Sequence, residues 1–254
     1  MKNYIKIKNI KIGEGVPKIC VPLIGMNKEE FLCNAKKLKD KKLDLVEVRI
    51  DYLDKVEDLD CVKDLIKKIR NILKEIPIIF TFRTIKEGGK KEISLQYYKK
   101  LNIEVAKSGY VDLIDIELFI GDDIVKQIVD KAHNANVKVI ISNHDFSKTP
   151  DKEEIVKRLC KMQNLNADLP KIAVMPKSIK DVFTLIYATY IMVDKYPKTP
   201  VITISMSKIG AITRIAGETF GSAITFGALD VSSAPGQIDV DKLYNILEIL
   251  HNVK

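Results

Sequence analysis

Lys171 stands immediately before an unbroken apolar run, Ile172-Ala173-Val174-Met175, so a long amine is carried into what reads as a protein interior. Burial disfavours an ammonium ion and favours the free amine, which can attack a ketone. On this reading Lys171 is a Schiff-base nucleophile; the alternative is a lysine that merely flanks its strand and snorkels to water. Leu45-Val46-Glu47-Val48-Arg49 alternates with period two, which puts Glu47 and Arg49 on one face with Leu45. In a strand buried on both faces, a carboxylate and a guanidinium side by side need each other, as a structural ion pair, or a ligand.

Three further segments carry polar groups of the same kind. Phe80-Thr81-Phe82-Arg83 runs into a loop, 84–91, in which Glu87 precedes Gly88-Gly89; the glycines lack the GxxxxGK[ST] spacing of a phosphate loop and read as a flexible turn. Ser142-Asn143-His144-Asp145-Phe146 places one of the chain's 3 histidines at a strand end. Its proton moves near neutral pH, so His144 is either a general acid/base or a structural histidine. Later come Ser205-Met206-Ser207, Arg214 and Ser232-Ser233-Ala234-Pro235-Gly236-Gln237. Arginine with hydroxyl and amide donors suits a carboxylate or phosphate, although Arg214 would equally serve a surface or interface ion pair. Met206 reads as packing.

These residues need a frame that gathers them. Short apolar, β-branched runs recur at 19–23, 45–49, 78–83, 113–117, 137–142, 171–175, 201–205 and 223–228, and helical periodicity fills 28–42, 59–75, 94–108, 122–134, 152–164, 178–194 and 239–251. Alternation of strand and helix calls for a parallel sheet, and eight units in 254 residues match a closed (β/α)8 TIM barrel, whose chemistry sits at the carboxyl ends of the strands. An open doubly wound sheet is the alternative, without a GxGxxG after the first strand to support it. Thr149-Pro150-Asp151 supplies a start for the helix at 152, and Asn166 follows it where a left-handed residue belongs. Tyr4 to Ile12 alternates with a slip in phase after Asn9, and reads as an extra hairpin or strand plugging one barrel end. No Gly, Pro or Ser-rich linker divides the chain, so residues 1–254 are expected to form a single catalytic domain.

Bulk properties narrow the partners. The formal charge of +8 suits an anionic ligand, but the lysines cluster in segments such as 35–42 and 63–74, spaced like solvated helix faces. Without an arginine-rich or aromatic-interleaved stripe, a small acidic substrate is favoured over nucleic acid. No run of about 18 apolar residues exists for a membrane span, and the start lacks the continuous apolar core of a signal peptide. The 4 cysteines are scattered, with no CxxC pair and no histidine at metal-ligand spacing, which argues for reduced cytoplasmic thiols and no metal site.

With these segments in view, the chain resembles the type I 3-dehydroquinate dehydratase family over nearly its whole length. The matching pieces are EVRID at 47–51, FTFRT at 80–84 with Glu87, HDF at 144–146, LPKIAVMP at 169–176, SMSKIGAITRI at 205–215 and SSAPGQ at 232–237. The resemblance implies a dehydration of 3-dehydroquinate through an imine on Lys171, with His144 as general acid/base and Glu87 orienting or assisting it. It implies substrate binding by Glu47, Arg49, Arg83, Arg214, Ser233 and Gln237, with Arg214 facing a carboxylate and the 232–237 loop closing as a lid. No metal or diffusible cofactor is implied, and homodimers are common in the family. Asn143 and Asn166 depart from the family's pattern, and Lys171 falls at the start of its strand rather than at the far end where barrel chemistry belongs. Two rivals remain: a Schiff-base aldolase on the same barrel, lacking a convincing phosphate site, and a basic barrel that binds an anion through Arg49, Arg83 and Arg214 without turnover.

Overall fold

The computed structural model describes residues 4–230 and 233–253. Eight parallel strands, β3 (Lys18–Leu23), β4 (Leu45–Arg49), β5 (Ile78–Thr81), β6 (Leu113–Glu117), β7 (Lys138–Asp145), β8 (Leu169–Val174), β9 (Ile202–Ser205) and β10 (Ile224–Ala228), lie side by side in chain order, and β10 returns to β3. The seam between β9 and β10 is closed by a Val201–Ser222 bridge and by the Ala223 amide, which donates to the Val201 carbonyl at 2.9 Å. This is the TIM barrel expected from the alternating pattern. Two-residue β11 (Ile238–Asp239) extends the end of β10.

The antiparallel hairpin of β1 (Ile5–Ile7) and β2 (Ile10–Ile12) precedes the barrel. The slip in phase is its turn, in which Lys8 adopts φ 48°. Ile7 and Ile12 bury among Leu45, Ile79, Leu113, Ile140 and Leu169, the first inward residues of their strands. The hairpin therefore plugs the amino-terminal end and leaves the opposite end for chemistry.

Around the barrel run α1 (Lys28–Lys39), α2 (Leu59–Leu73), α3 (Leu95–Ala106), α4 (Asp122–Asn134), α5 (Lys152–Asn164), α6 (Ile179–Lys195) and, after β11, α9 (Val240–His251). Their apolar faces bury against the outer face of the sheet, as Val62, Leu65, Ile66 and Ile69 of α2 do. Asp151 does occupy the N-cap of α5, though its side chain makes no capping bond, and Asn166 takes the left-handed φ of 63°. The sequence reading missed α7 (Ile212–Ile215) and α8 (Gly217–Phe220). Four residues each are too short to show a 3.6-residue period, and glycines at 210, 217 and 221 break the pattern.

Three strands have bounds other than those expected, at the places that matter most. β8 begins at Leu169, so Lys171 is its third residue and not its first. Pro170 had hidden this, because proline lacks the N–H of a ladder residue, yet it pairs in register with Ile141. β7 runs on to Asp145 and takes His144 into the sheet, whereas β5 stops at Thr81 and releases Arg83. Above the apolar floor, the next inward residues of five neighbouring strands are Glu47, Thr81, Asp115, Ser142 and Lys171.

Candidate active site

All nine residues singled out from the sequence, Glu47, Arg49, Arg83, Glu87, His144, Lys171, Arg214, Ser233 and Gln237, line one cavity at the carboxyl end of the barrel. Phe226, Met206, Ile204, Ala173 and Phe146 supply its apolar walls. A ring-sized molecule with a few polar substituents is the kind of ligand such a mixture holds.

Lys171 is only 3% exposed, but it is not the solitary buried amine of the sequence reading. Its Nζ donates to Asp115 Oδ2 at 2.9 Å, lies 3.5 Å from Glu47 Oε1 and sits 4.5 Å from the centroid of the Phe226 ring. Snorkelling to water is ruled out by this burial. Asp115, fully buried on β6, was missed. Burial alone would raise its pKa, but Arg83 and Lys171 outweigh that and hold its carboxyl down to about 2. The signal was present: Leu113-Ile114-Asp115-Ile116-Glu117 has the same alternation as Leu45–Arg49.

Glu47 and Arg49 share a face, as period two requires, yet they do not pair with each other. Glu47 accepts the Thr81 hydroxyl at 3.0 Å, while Arg49 binds Asp51 through Nε at 2.8 Å and Nη2 at 2.9 Å. Asp51 also accepts the Lys90 amide at 3.2 Å, which ties the end of β4 to the loop carrying Glu87. Arg83 has left its strand and turned inward, where it donates to Asp115 at 2.7 Å, Ser142 Oγ at 2.9 Å and Glu117 at 3.3 Å. Glu117, also missed from the sequence, fixes the start of that loop by accepting the Thr84 amide and hydroxyl, both at 2.8 Å. Each buried charge here has its counter-charge, which is what burial demands.

The loop after β5 is a packed turn and neither a phosphate cradle nor a flexible linker. Gly88 has φ 84°, and a Cβ there would lie 2.3 Å from the Phe146 ring; a Cβ on Gly89 would lie 1.8 Å from the Arg83 carbonyl oxygen. Only glycine fits, and the turn it permits delivers Glu87 to His144. Glu87 Oε2 lies 2.9 Å from His144 Nδ1 and accepts the His144 amide at 3.0 Å, while Oε1 accepts from Asn143 Nδ2 at 3.1 Å. A carboxylate at Nδ1 holds the proton on that nitrogen and leaves Nε2 as the free base. Burial, then the cations Arg83, Lys171 and Arg49, push the His144 pKa well below its usual range, so the ring is neutral at pH 7. Burial raises the Glu87 carboxyl to about 7, against the pull of Arg83.

Arg214 completes the cavity from the opposite side. The residue is 2% exposed, and its guanidinium donates to the carbonyls of Phe226 at 3.2 Å and Pro235 at 2.9 Å and leaves Nε without a partner. Among the described residues no carboxylate pairs with it, so the ion-pair alternative fails. Burial lowers its pKa to about 10, and the group stays charged at neutral pH. An uncompensated buried guanidinium with a free donor is a site for an anion. The loop above it is drawn down by the Ser207 amide, which donates to the Pro235 carbonyl at 3.2 Å. Gln237 Oε1 accepts the Ser233 amide at 2.8 Å and Gln237 Nε2 donates to Ser233 Oγ at 3.1 Å. Ser232, the first residue of the loop motif, lies outside the described residues.

The family model for type I 3-dehydroquinase matches residues 19–254. A 3-dehydroquinate dehydratase from Clostridium botulinum (strain Eklund 17B / Type B) is 58% identical over 251 residues, 99% of each chain. A crystal structure of type I 3-dehydroquinate dehydratase from Clostridium difficile, with covalently modified comenic acid, superposes with a TM-score of 0.97 at 54% identity over 99% of each chain. That of the Geobacillus kaustophilus HTA426 enzyme gives 0.96 at 37% identity, covering 99% of this chain and 98% of the other. By sequence along nearly its whole length, and by fold, this chain belongs to the type I 3-dehydroquinase family.

Proposed function

We propose that this protein dehydrates 3-dehydroquinate to 3-dehydroshikimate through an imine on Lys171, as a step of the shikimate pathway. The observation that carries the reading is the convergence on one cavity of a buried amine, a neutral histidine braced by a carboxylate, and a buried guanidinium with no counter-anion. The Clostridium difficile relative, solved with a covalently modified comenic acid, supports covalent chemistry at such a site.

In this mechanism Arg214 takes the substrate carboxylate and places the ring over the strands. Lys171 must first give up a proton, and Asp115 and Glu47 are the carboxylates beside it. The amine adds to the C3 carbonyl and water leaves, forming the protonated imine. That imine is an electron sink, so His144 Nε2 removes a C2 proton and an enamine forms. The enamine pushes out the C1 hydroxyl, protonated by the same His144, and hydrolysis of the new imine frees Lys171 and the conjugated product. Glu87 keeps the ring in the productive tautomer, as a triad carboxylate does. Glu47, Arg49, Arg83, Ser233 and Gln237 bind the substrate's hydroxyls, Arg83 doing so while it also organises Asp115 and Glu117. The segment from Ser233 to Gln237 covers the bound ring as a lid.

The whole chain serves this reaction as one catalytic domain. No helix of the described residues is long and apolar enough to cross a membrane, and with its free thiols we place the enzyme in the cytoplasm. Two copies associate through α6. Its outward face carries Ile179, Phe183, Tyr187 and Tyr190, each between 51% and 67% exposed, where a surface helix should be polar. An antiparallel pairing centred on Tyr187 sets the exposed Lys180 of one copy opposite the exposed Asp194 of the other, equally far from the centre. The direct test of function is turnover of 3-dehydroquinate, followed by the ultraviolet absorbance of the conjugated enone. Wild-type protein produces it and Lys171→Met does not; an inert wild type, or an active Lys171→Met, contradicts the reading.

A further inference from the structure

We infer that Arg158, which reaches the site from the helix layer outside the barrel, is a positioning residue for the dehydration, acting on Glu87 and His144 through the side-chain amide of Asn143. The inference rests on the roles proposed above for that pair.

Arg158 lies on α5, and its Nη1 donates to Asn143 Oδ1 at 2.9 Å. The guanidinium is held from two other sides, by Glu154 Oε1 at 2.7 Å from Nε and by the Phe119 ring 5.4 Å away. Asn143 is buried on β7 between the inward residues Ser142 and His144, and its Nδ2 is the group that donates to Glu87 Oε1. A side-chain amide has one acceptor end and one donor end. Turned over, Asn143 would set its oxygen against the Glu87 carboxylate and its NH2 against a guanidinium. A cation at one end therefore commits the donor end to Glu87.

What surrounds Glu87 gives that commitment its effect. Arg83 faces it from the end of β5 at 3.6 Å from Oε2, Glu117 faces it from the end of β6, and His144 from β7. Arg83 is shared with Asp115 and Glu117, so its charge is divided. Burial and Glu117 favour the protonated acid; Arg83, the Asn143 amide and the His144 backbone N–H favour the carboxylate. Removing Arg158 lets the amide turn, withdraws one stabilising donor, and shifts Glu87 toward its protonated form. A protonated Glu87 no longer demands the Nδ1 proton of His144, and the base at Nε2 is lost with it.

The experiment is the pH profile of kcat for wild type, Arg158→Met, Asn143→Leu and the double variant, with folding checked by thermal melting. Arg158→Met is expected to move the acid limb to higher pH and to lower kcat at pH 7 on the order of tenfold, the equivalent of one pKa unit, with activity recovering as pH is raised. KM should change far less. Because Arg158 acts through Asn143, the double variant should be no worse than Asn143→Leu alone. Arg158→Lys, which keeps a donor and the charge, should restore at least half of the displacement, and it carries the test if Arg158→Met proves unstable. An unmoved acid limb in Arg158→Met, or losses that multiply in the double variant, overturns the inference. An inactive wild type would instead refute the proposed function.

Discussion

Lys171 is buried between Asp115 and Glu47, and Asp115 between Lys171 and Arg83, so each of these groups has its counter-charge inside the barrel, whereas the anion that Arg214 lacks must come from outside the chain. Arg214→Ala should therefore raise KM for 3-dehydroquinate on the order of a hundredfold, the scale of a buried charged hydrogen-bonded pair, with a smaller change in kcat. Steady-state kinetics decides it; an unchanged KM would remove Arg214 from the carboxylate. Glu87 makes a prediction about stability. Its carboxyl is raised in the folded protein to about 7, above the ordinary value of 4.5, so folding is favoured by the bound proton. That contribution is fully present below pH 4.5 and is lost as pH rises through 7. Glu87→Gln, neutral at all pH, should thus be more stable than wild type at pH 8 by on the order of 1–3 kcal/mol while its turnover falls. Equal melting curves at pH 8 would show that the buried charge is not a burden on the fold.

At the level of elements, the turn after β5 and the ends of β7 and β8 decide whether the groups meet. Gly88→Ala must displace either the Phe146 ring or the turn itself, and its left-handed φ adds strain. A loss of stability on the order of 1–3 kcal/mol and at least tenfold in kcat is expected, measured by denaturant unfolding and turnover. Wild-type behaviour would mean that the turn does not position Glu87. The alternation in Leu45–Arg49 was enough to set Glu47 and Arg49 on one face. Their partners were not legible. Asp115 lies 56 residues from Lys171 in the chain, and Asp51 displaced Glu47 as the partner of Arg49 because a short 3-10 turn, Ile50–Tyr52, folds it back. Period two tells which residues share a face, but not which face is inside or which charge of several gets the closest counter-ion. The packed role of Gly88 was hidden for a similar reason, since the Phe146 ring that excludes a side chain there comes from the loop after β7.

For the molecule as a whole, the barrel is plugged at its floor by the hairpin and open to chemistry at the other end, and α6 presents an apolar flank to solvent. Phe183→Asp should convert a dimer to a monomer in sedimentation experiments, and Lys180→Asp with Asp194→Lys together should restore association that either reversal alone weakens. A wild type that is monomeric at micromolar concentration would contradict the pairing. The central claim, that the reaction runs through an imine, is tested by treating enzyme and 3-dehydroquinate with borohydride and mapping the modified peptide by mass. An imine on Lys171 gives one reduced adduct per chain, on that residue and absent from Lys171→Met; turnover with no adduct, or an adduct on any other lysine, would contradict the mechanism.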